Sequence, residues 1–414
     1  MAAGTDETME YTKVSGSICA AKGFLAAGIH CGIRKNKSKR DLALIYSTTP
    51  CAAAAVFTTN KVKASPLLVS KAHLADGKIQ AVICNSGNAN ACNADGIDKA
   101  NATCEAAAKA LKLKAEDILV ASTGVIGQPL PLEPIVEHLD ELSASLSPNG
   151  SADAAEAIMT TDTAPKEIAV EFTVGGKLCR MGGIAKGSGM IHPNMGTMLA
   201  FVTTDCAIDA PLLQKAVSAC VQDTFNMVSV DGDTSTNDTF AVLANGQAGN
   251  DPIKAEGTDY DVFYGALMEV ASHLAKAIAG DGEGCTHLIE CTVTGAPTVE
   301  DAKKAAKSVI CSSLFKAAIF GADANWGRIL CALGYSGAEL DPNKVDVTIA
   351  SEGGSFPVCK NGMGVEFSEE YAKQVLLKEE VKVLVSLHGG DCSAVAWGCD
   401  LTYDYVKING DYRT

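Results

Sequence analysis

This 414-residue chain has no long apolar run, few aromatic residues (5%), no basic excess and no paired metal-ligand spacing, and each lack excludes something. The longest unbroken apolar stretch near the start, Cys51 to Phe57, is far short of the ~20 residues that span a bilayer, so no transmembrane helix is expected. The opening Met1–Glu10 carries Asp6, Glu7 and Glu10 and no positive n-region, which is neither a secretory signal nor an Arg-rich transit peptide. Lys and Arg number 34 against 49 Asp and Glu, a formal charge of −15 that argues against nucleic acid as a partner. The short basic run from Lys35 to Arg40 reads as a solvated loop. Seven isolated His and the lack of any CxxC or HExxH spacing predict no structural metal. The 16 Cys are scattered in a long chain without an export signal, which points to free thiols in a reducing cytoplasm.

What the chain does have is glycine (39 residues) and Ala-rich segments between short runs of Val, Ile and Leu, the usage of a mixed α and β protein of one large or two to three smaller units. Strands are expected at Leu42–Tyr46, Ile79–Cys84, Ile168–Val174, Met198–Thr203, Phe240–Leu243, Leu288–Val293, Val345–Ile349 and Lys382–Leu387. Leu132, Ile135, Val136, Leu139 and Leu142 fall on one helical face, as do Leu212, Leu213, Ala216, Val217, Cys220 and Val221. Further helices are read at Asp98–Leu111, Asp259–Ile278, Val299–Val309 and Ser368–Leu377. Strands and helices alternate without a regular βαβ period or an early GxGxxG, so a Rossmann domain is disfavoured and a layered α/β sandwich with mixed sheets is expected. The polar segment Ser143–Asp153 is the one obvious linker and could separate two lobes.

The chemistry concentrates first in Lys186–Asp205, where a glycine-containing loop feeds an apolar strand with Thr197 at the junction. A threonine becomes a competent nucleophile when its own α-amine is freed by cleavage of the preceding peptide bond. Gly196 before it leaves that carbonyl open to attack by the hydroxyl. The plainer reading is a β-branched residue opening a strand, and spacing leaves both standing. Ala121–Gly127 (ASTGVIG) reads by itself as a tight strand-to-helix turn, and Glu283 in DGEG as a residue of a surface turn.

Eight motifs in order, NSGNANACNADG (85–96), ASTGVIG (121–127), MTTDT (159–163), KGSGMIHPNMGTMLAFVTTD (186–205), VDGDTSTNDT (230–239), DGEGCTH (281–287), GADANWGRIL (321–330) and YVKINGDYRT (405–414), resemble the ornithine acetyltransferase (glutamate N-acetyltransferase) family of arginine biosynthesis. The resemblance spans nearly the whole chain. It implies a two-lobed α/β sandwich with mixed sheets, similar to that of the self-processing aminopeptidases. It implies self-cleavage at Gly196/Thr197 into an α chain, 1–196, with the oxyanion hole and a β chain, 197–414, with the nucleophile and substrate pocket. Gly196 stands where the family usually has Ala, and Gly410 likewise. By the same resemblance Thr197 carries the acetyl group from N2-acetylornithine to glutamate in a ping-pong cycle, with Thr123 and Gly124 as oxyanion donors. Thr163, Lys186, Thr197, Glu283, Asn409 and Thr414 are then substrate contacts, Lys186 supplying the cation for an α-carboxylate. Two α/β pairs are expected to associate. No cofactor is required, and the residues leave open whether acetyl-CoA is a co-substrate.

The tail can serve a pocket only if it is folded back, and Val406 and Ile408 at period two suggest a docked strand. Asp231, Asp233 and Asp238 superficially resemble a calcium loop, but no Glu follows at the twelfth position, so a structural turn is expected. NSGNANA is expected to order backbone through its amides. His192 is read as loop structure, and Arg328 either holds a carboxylate or buttresses two lobes. A self-processing hydrolase, with water as acceptor, and a non-enzymatic binding protein are the competing classes.

Overall fold

The computed structural model describes residues 11–192 and 198–411. Its strands in chain order are β1 (Thr12–Lys13), β2 (Phe24–Ile29), β3 (Leu42–Phe57), β4 (Lys78–Asn85), β5 (Ile118–Ser122), β6 (Lys166–Val174), β7 (Lys177–Lys186) and β8 (Leu199–Thr204). They continue with β9 (Val228–Ser229), β10 (Thr239–Ala244), β11 (Leu288–Ala296), β12 (Asp346–Ser351), β13 (Gly354–Lys360), β14 (Met363–Gly364), β15 (Glu380–Ser386) and β16 (Cys392–Cys399). The helices are α1 (Ser65–His73), α2 (Gly96–Leu111), α3 (Leu132–Glu137), α4 (Leu139–Ala144), α5 (Ser151–Ile158) and α6 (Ala210–Asp223). They are followed by α7 (Thr258–Gly280), α8 (Val299–Cys311), α9 (Ser313–Phe320), α10 (Trp326–Gly334), α11 (Glu369–Leu376) and α12 (Tyr403–Asp411).

Two mixed sheets carry the fold, as expected of a two-lobed α/β sandwich. The first runs β1-β6-β7-β8-β10-β3-β4-β5, with β2 also paired to β3; the second runs β14-β13-β12-β15-β11-β16-β9. β8 and β10 lie parallel at the centre of the first sheet and read as continuous apolar runs because both their faces are covered. Ala200 and Val202 enter the core shared with the second sheet, while Leu199 and Phe201 between them enter the core on the opposite face. The long strand β3 pairs with β2 and β4 through its first half and with β10 through its second. Its register against β4 shifts between Tyr46 and Cys51, where Pro50 has no N–H to give the ladder.

Helix α7 joins the two layers, packing on β6 and β7 of the first sheet and on β16, β9 and β11 of the second. Phe263, Leu267, Val270, Leu274 and Ile278 form its fully buried stripe at three- and four-residue spacing. Each such side chain contributes about 1.5–3 kcal/mol by leaving water. Asp259 and Asp261 in its first turn complement the positive end of the helix dipole. Among the described residues no helix is long and apolar enough to cross a membrane.

Three expectations need correction. The stripe from Leu132 to Leu142 is two short helices, α3 and α4, broken at His138, whose φ of −104° and ψ of 3° leave the helical region; Val136 is 44% exposed. Ser143–Asp153 is not a linker between lobes: Ser147 bridges to Ala26 of β2, and Ser151 opens α5 while its hydroxyl donates to the Gly16 carbonyl. The tail is a helix, α12, and not a strand.

Candidate active site

A cavity of about 240 Å³ opens where seven segments converge: the turn after β5, the loop after α5, the end of β7, the start of β8, the loop before β10, the turn after α7, and α12. Thr123, Gly124, Lys186, Glu283 and Asn409 line it together, so the structure brings into one wall residues up to 286 positions apart in sequence. Met198 and Leu199, which follow Thr197 in the chain, line it too. Gly196, Thr197 and Thr414 lie outside the described residues.

The turn after β5 is fixed by amides from the loop after β4. Thr123 N–H donates to the Asn85 carbonyl at 2.9 Å. The Asn85 amide donates to Ser122 Oγ at 2.8 Å, and its oxygen accepts from the Gly87 and Asn88 N–H groups. Asn237 ties the same turn down from the opposite side, donating to the carbonyls of Ala89 and Ser122 at 2.7 Å each. NSGNANA thus orders backbone as its composition suggested. Gly124 has φ of +128°, and a Cβ there would sit 2.7 Å from the Gly87 carbonyl carbon, so no other residue fits without displacement. Among the described residues nothing accepts from the Gly124 N–H or bonds the Thr123 hydroxyl. Both residues line the cavity, which therefore has two donors without a partner among the described residues.

Lys186 closes β7, in register with Leu199. It is buried, and burial pushes its ammonium below the usual lysine range; Asp162 opposes that push, while Lys166 and Arg34 add to it. Asp162 is buried as well, which alone would raise its carboxyl, yet Lys186 and Lys166 hold it well below the ordinary range.

Glu283 follows α7, its N–H donating to the Ser188 carbonyl at 3.0 Å. Its carboxylate packs on the Gly189 backbone, where a Cβ would lie 2.3 Å away. Asn409 Nδ2 donates to Glu283 Oε2 at 2.7 Å. The helix that delivers Asn409 begins at Thr402, whose hydroxyl accepts from the Tyr405 N–H and donates to the Gly284 carbonyl at 2.6 Å. Tyr405 and Asn409, four apart, share the face of α12 toward the cavity, whereas Val406 is 69% exposed. The period-two reading failed because its apolar residues are not the docked ones.

Two lining residues were missed by sequence reasoning as functional. Asp231 accepts from the N–H groups of Met190 and Ile191 at 2.6 and 2.8 Å, so the turn reading of VDGDTSTNDT stands and the turn shapes the loop that leads toward residue 197. Tyr405 lines the cavity in hydrogen-bond contact with Asp231, its phenol raised by burial and by the Asp231 charge. Thr163 sits apart: its N–H and hydroxyl donate to Asp281, and it lines a neighbouring depression with Cys285 and Lys407. His192 bonds Ser229 Oγ at 3.0 Å beside Cys311, and burial together with Lys307 lowers its ring to about 4, which suits loop structure. Arg328 donates to the Leu314 carbonyl at 2.5 Å, joining α10 to α9 away from the cavity.

The ArgJ family profile matches residues 25–414. The chain belongs to the ArgJ family. It is 53% identical over 403 residues to the arginine biosynthesis bifunctional protein ArgJ of Symbiobacterium thermophilum, covering 97% of this chain and 99% of that one. The ArgJ 1 protein of Clostridium acetobutylicum is also 53% identical, over 94% of this chain and 96% of its own length. Among solved structures, the arginine biosynthesis bifunctional protein argJ of Bacillus halodurans matches with a TM-score of 0.50 and 50% identity, covering 52% of this chain and 100% of that chain.

Proposed function

We propose that this chain cuts itself between Gly196 and Thr197 and then moves an acetyl group from N2-acetylornithine to glutamate through an ester on Thr197. The enzyme class, an acetyltransferase of arginine biosynthesis, follows from membership of the ArgJ family. The observation that carries the mechanism is the cavity itself: two unspent donors, a buried cation and a buried carboxylate share a wall with the residues that follow Thr197.

In the first half-reaction the Thr197 hydroxyl attacks the acetyl carbonyl while its α-amine takes the proton. The oxyanion so formed accepts from Thr123 Oγ1 and Gly124 N–H, whose rigid turn means no reorganisation is needed as charge develops. The tetrahedral centre collapses, the C–N bond breaks, and the ornithine α-amine leaves with that proton. Glutamate then attacks the ester with its α-amine, and the threonine hydroxyl is regenerated. Lys186 holds the α-carboxylate of either amino acid and Glu283, oriented by Asn409, receives amino groups. Thr163, held by Asp281 in the neighbouring depression, is left without a substrate contact in this scheme. Water as acceptor would need neither charge, which is why transfer is preferred to hydrolysis.

Support for cleavage comes from size: the solved relative, matched over its whole length, spans 52% of this chain, and residues 197–414 are 218 of 414. Both fragments would stay together because β8 and β10 are hydrogen-bonded into a sheet built mostly of earlier strands, and two such pairs associate. The reaction needs no cofactor, acetyl-CoA serves as a second acetyl donor, and the enzyme works in the cytoplasm. Incubation with N2-acetylornithine and glutamate should yield N-acetylglutamate and ornithine in equal amounts. Free acetate in place of N-acetylglutamate would refute transfer.

A further inference from the structure

We infer that Asp162 is a positioning residue that keeps Lys186 charged and aimed into the cavity, and that through Lys166 and Asp281 it ties the Lys186 end of the site to the Glu283 end. The inference rests on the reading of Lys186 as the carboxylate-binding cation. Asp162 is buried and accepts three hydrogen bonds, from Lys166 Nζ and the Gly187 N–H at 2.7 Å on Oδ1 and from the Thr160 N–H at 3.0 Å on Oδ2, while Lys186 Nζ stands at ion-pair distance, 3.9 Å from Oδ2. Lys166, 2% exposed, continues from Asp162 to Asp281 Oδ2 at 2.5 Å. Asp281 in turn fixes Thr163 and stands two residues before Glu283. The chain Lys186–Asp162–Lys166–Asp281 therefore crosses from β7 to the turn after α7 and sets both ends of an amino-acid site against one another.

A buried ammonium is held in its charged form only by a nearby opposite charge. Around Lys186 the balance is finely set. Arg34 from the loop before β3 and Lys166 from β6 disfavour its charge, while Asp162 favours it; the Cys84 thiol of β4, which burial pushes up to about 12, stays neutral beside it. Glu283, Asp231, Asp233 and Tyr405 line the same cavity. Of these, Asp162 is the carboxylate within ion-pair distance of Lys186 among the described residues.

The test is the pH dependence of kcat/KM for N2-acetylornithine at saturating glutamate, on the processed enzyme. Asp162→Asn removes the opposing charge and leaves Lys166 and Arg34 in place. Its alkaline limb should move down by about one pH unit or more, with KM raised for both amino acids more than kcat is lowered. Asp162→Glu should restore the limb toward wild type. Lys166→Gln removes a repelling cation while Asp162 stays, and should move the limb up. A merely structural role would not give shifts of opposite sign. If Asp162→Asn does not fold or mature, Lys166→Gln decides: a limb unmoved or moved down overturns the inference. Lys186→Gln separates the two levels. If it leaves KM unchanged for both substrates, the reading of Lys186 has failed; if it raises KM while Asp162→Asn leaves the limb in place, only the role of Asp162 has.

Discussion

Gly124→Ala puts the oxyanion reading at risk in a way that can be worked out beforehand. The new Cβ would lie 2.7 Å from the Gly87 carbonyl carbon and 2.8 Å from Asn88 N, against 3.4 Å for ordinary contact, so backbone must shift by about 0.7 Å. Neither neighbour can yield cheaply, because the Asn85 side chain already pins Gly87 and Asn88 through their N–H groups. The φ of +128° adds about 1–3 kcal/mol of backbone strain for a residue with a Cβ. An oxyanion donor is useful only within about 2.7–3.1 Å, and a shift of this size takes the Gly124 N–H out of that window. The expected loss is about 10²–10³ in kcat, with a melting temperature lowered by a few degrees. The assay is the burst of ornithine released from N2-acetylornithine without glutamate, which isolates acylation. Thr123→Val serves as control, since it deletes the other donor without backbone strain and should lose rate at nearly unchanged stability. A folded Gly124→Ala enzyme with wild-type burst rate would refute the assignment.

Other outcomes follow from the same geometry. Thr197→Ala should abolish both cleavage and transfer, seen as one full-length band and no N-acetylglutamate; a cut or active variant removes Thr197 from both roles. Lys186→Ala should raise KM for N2-acetylornithine and for glutamate alike, by tenfold or more if a buried charge pair with the carboxylate is lost; an effect on kcat alone would place it in the chemistry. Asn409→Asp sets a carboxylate 2.7 Å from Glu283 and should weaken substrate binding most at high pH, where both are charged; a flat pH response would contradict the contact. His192 has a folded value lowered to about 4 from 6.5, so the unfolded chain binds more protons between these values and stability should fall as pH drops through that window. His192→Asn should flatten that part of the Tm profile, and an unaltered slope would deny the burial of a neutral ring.

Much of the framework was legible because its signals are local. The eight expected strands are present, seven with ends shifted by a few residues and the one begun at Leu42 running on to Phe57, and Leu213, Ala216, Val217, Cys220 and Val221 are buried together on α6. What was not legible depends on distant partners. β7 was missed because Lys177–Lys186 mixes charge and glycine; its strand state comes from pairing on both sides, with β6 and β8. The tail reads as β by apolar alternation, yet its helix is set by the Thr402 cap and by Asn409 meeting Glu283, 126 residues away. The cap itself was a usable signal, with Thr402 three residues before Tyr405 and Asp404 in the first turn. In the site, Lys186 and Glu283 were legible as candidate contacts, whereas Asp162, although inside the MTTDT motif, showed no role of its own. Its partners come from β6, β7 and, through Lys166, the turn after α7, so its role exists only once those elements are packed.

Intact mass under denaturing conditions, followed by N-terminal sequencing of each fragment, tests the central claim most directly. The account predicts pieces of about 20 and 22 kDa from the 42.7 kDa chain, the larger beginning Thr197-Met198-Leu199. A single chain of full mass in an enzyme that transfers acetyl groups would contradict it, because Thr197 would then have no free amine to act as its base.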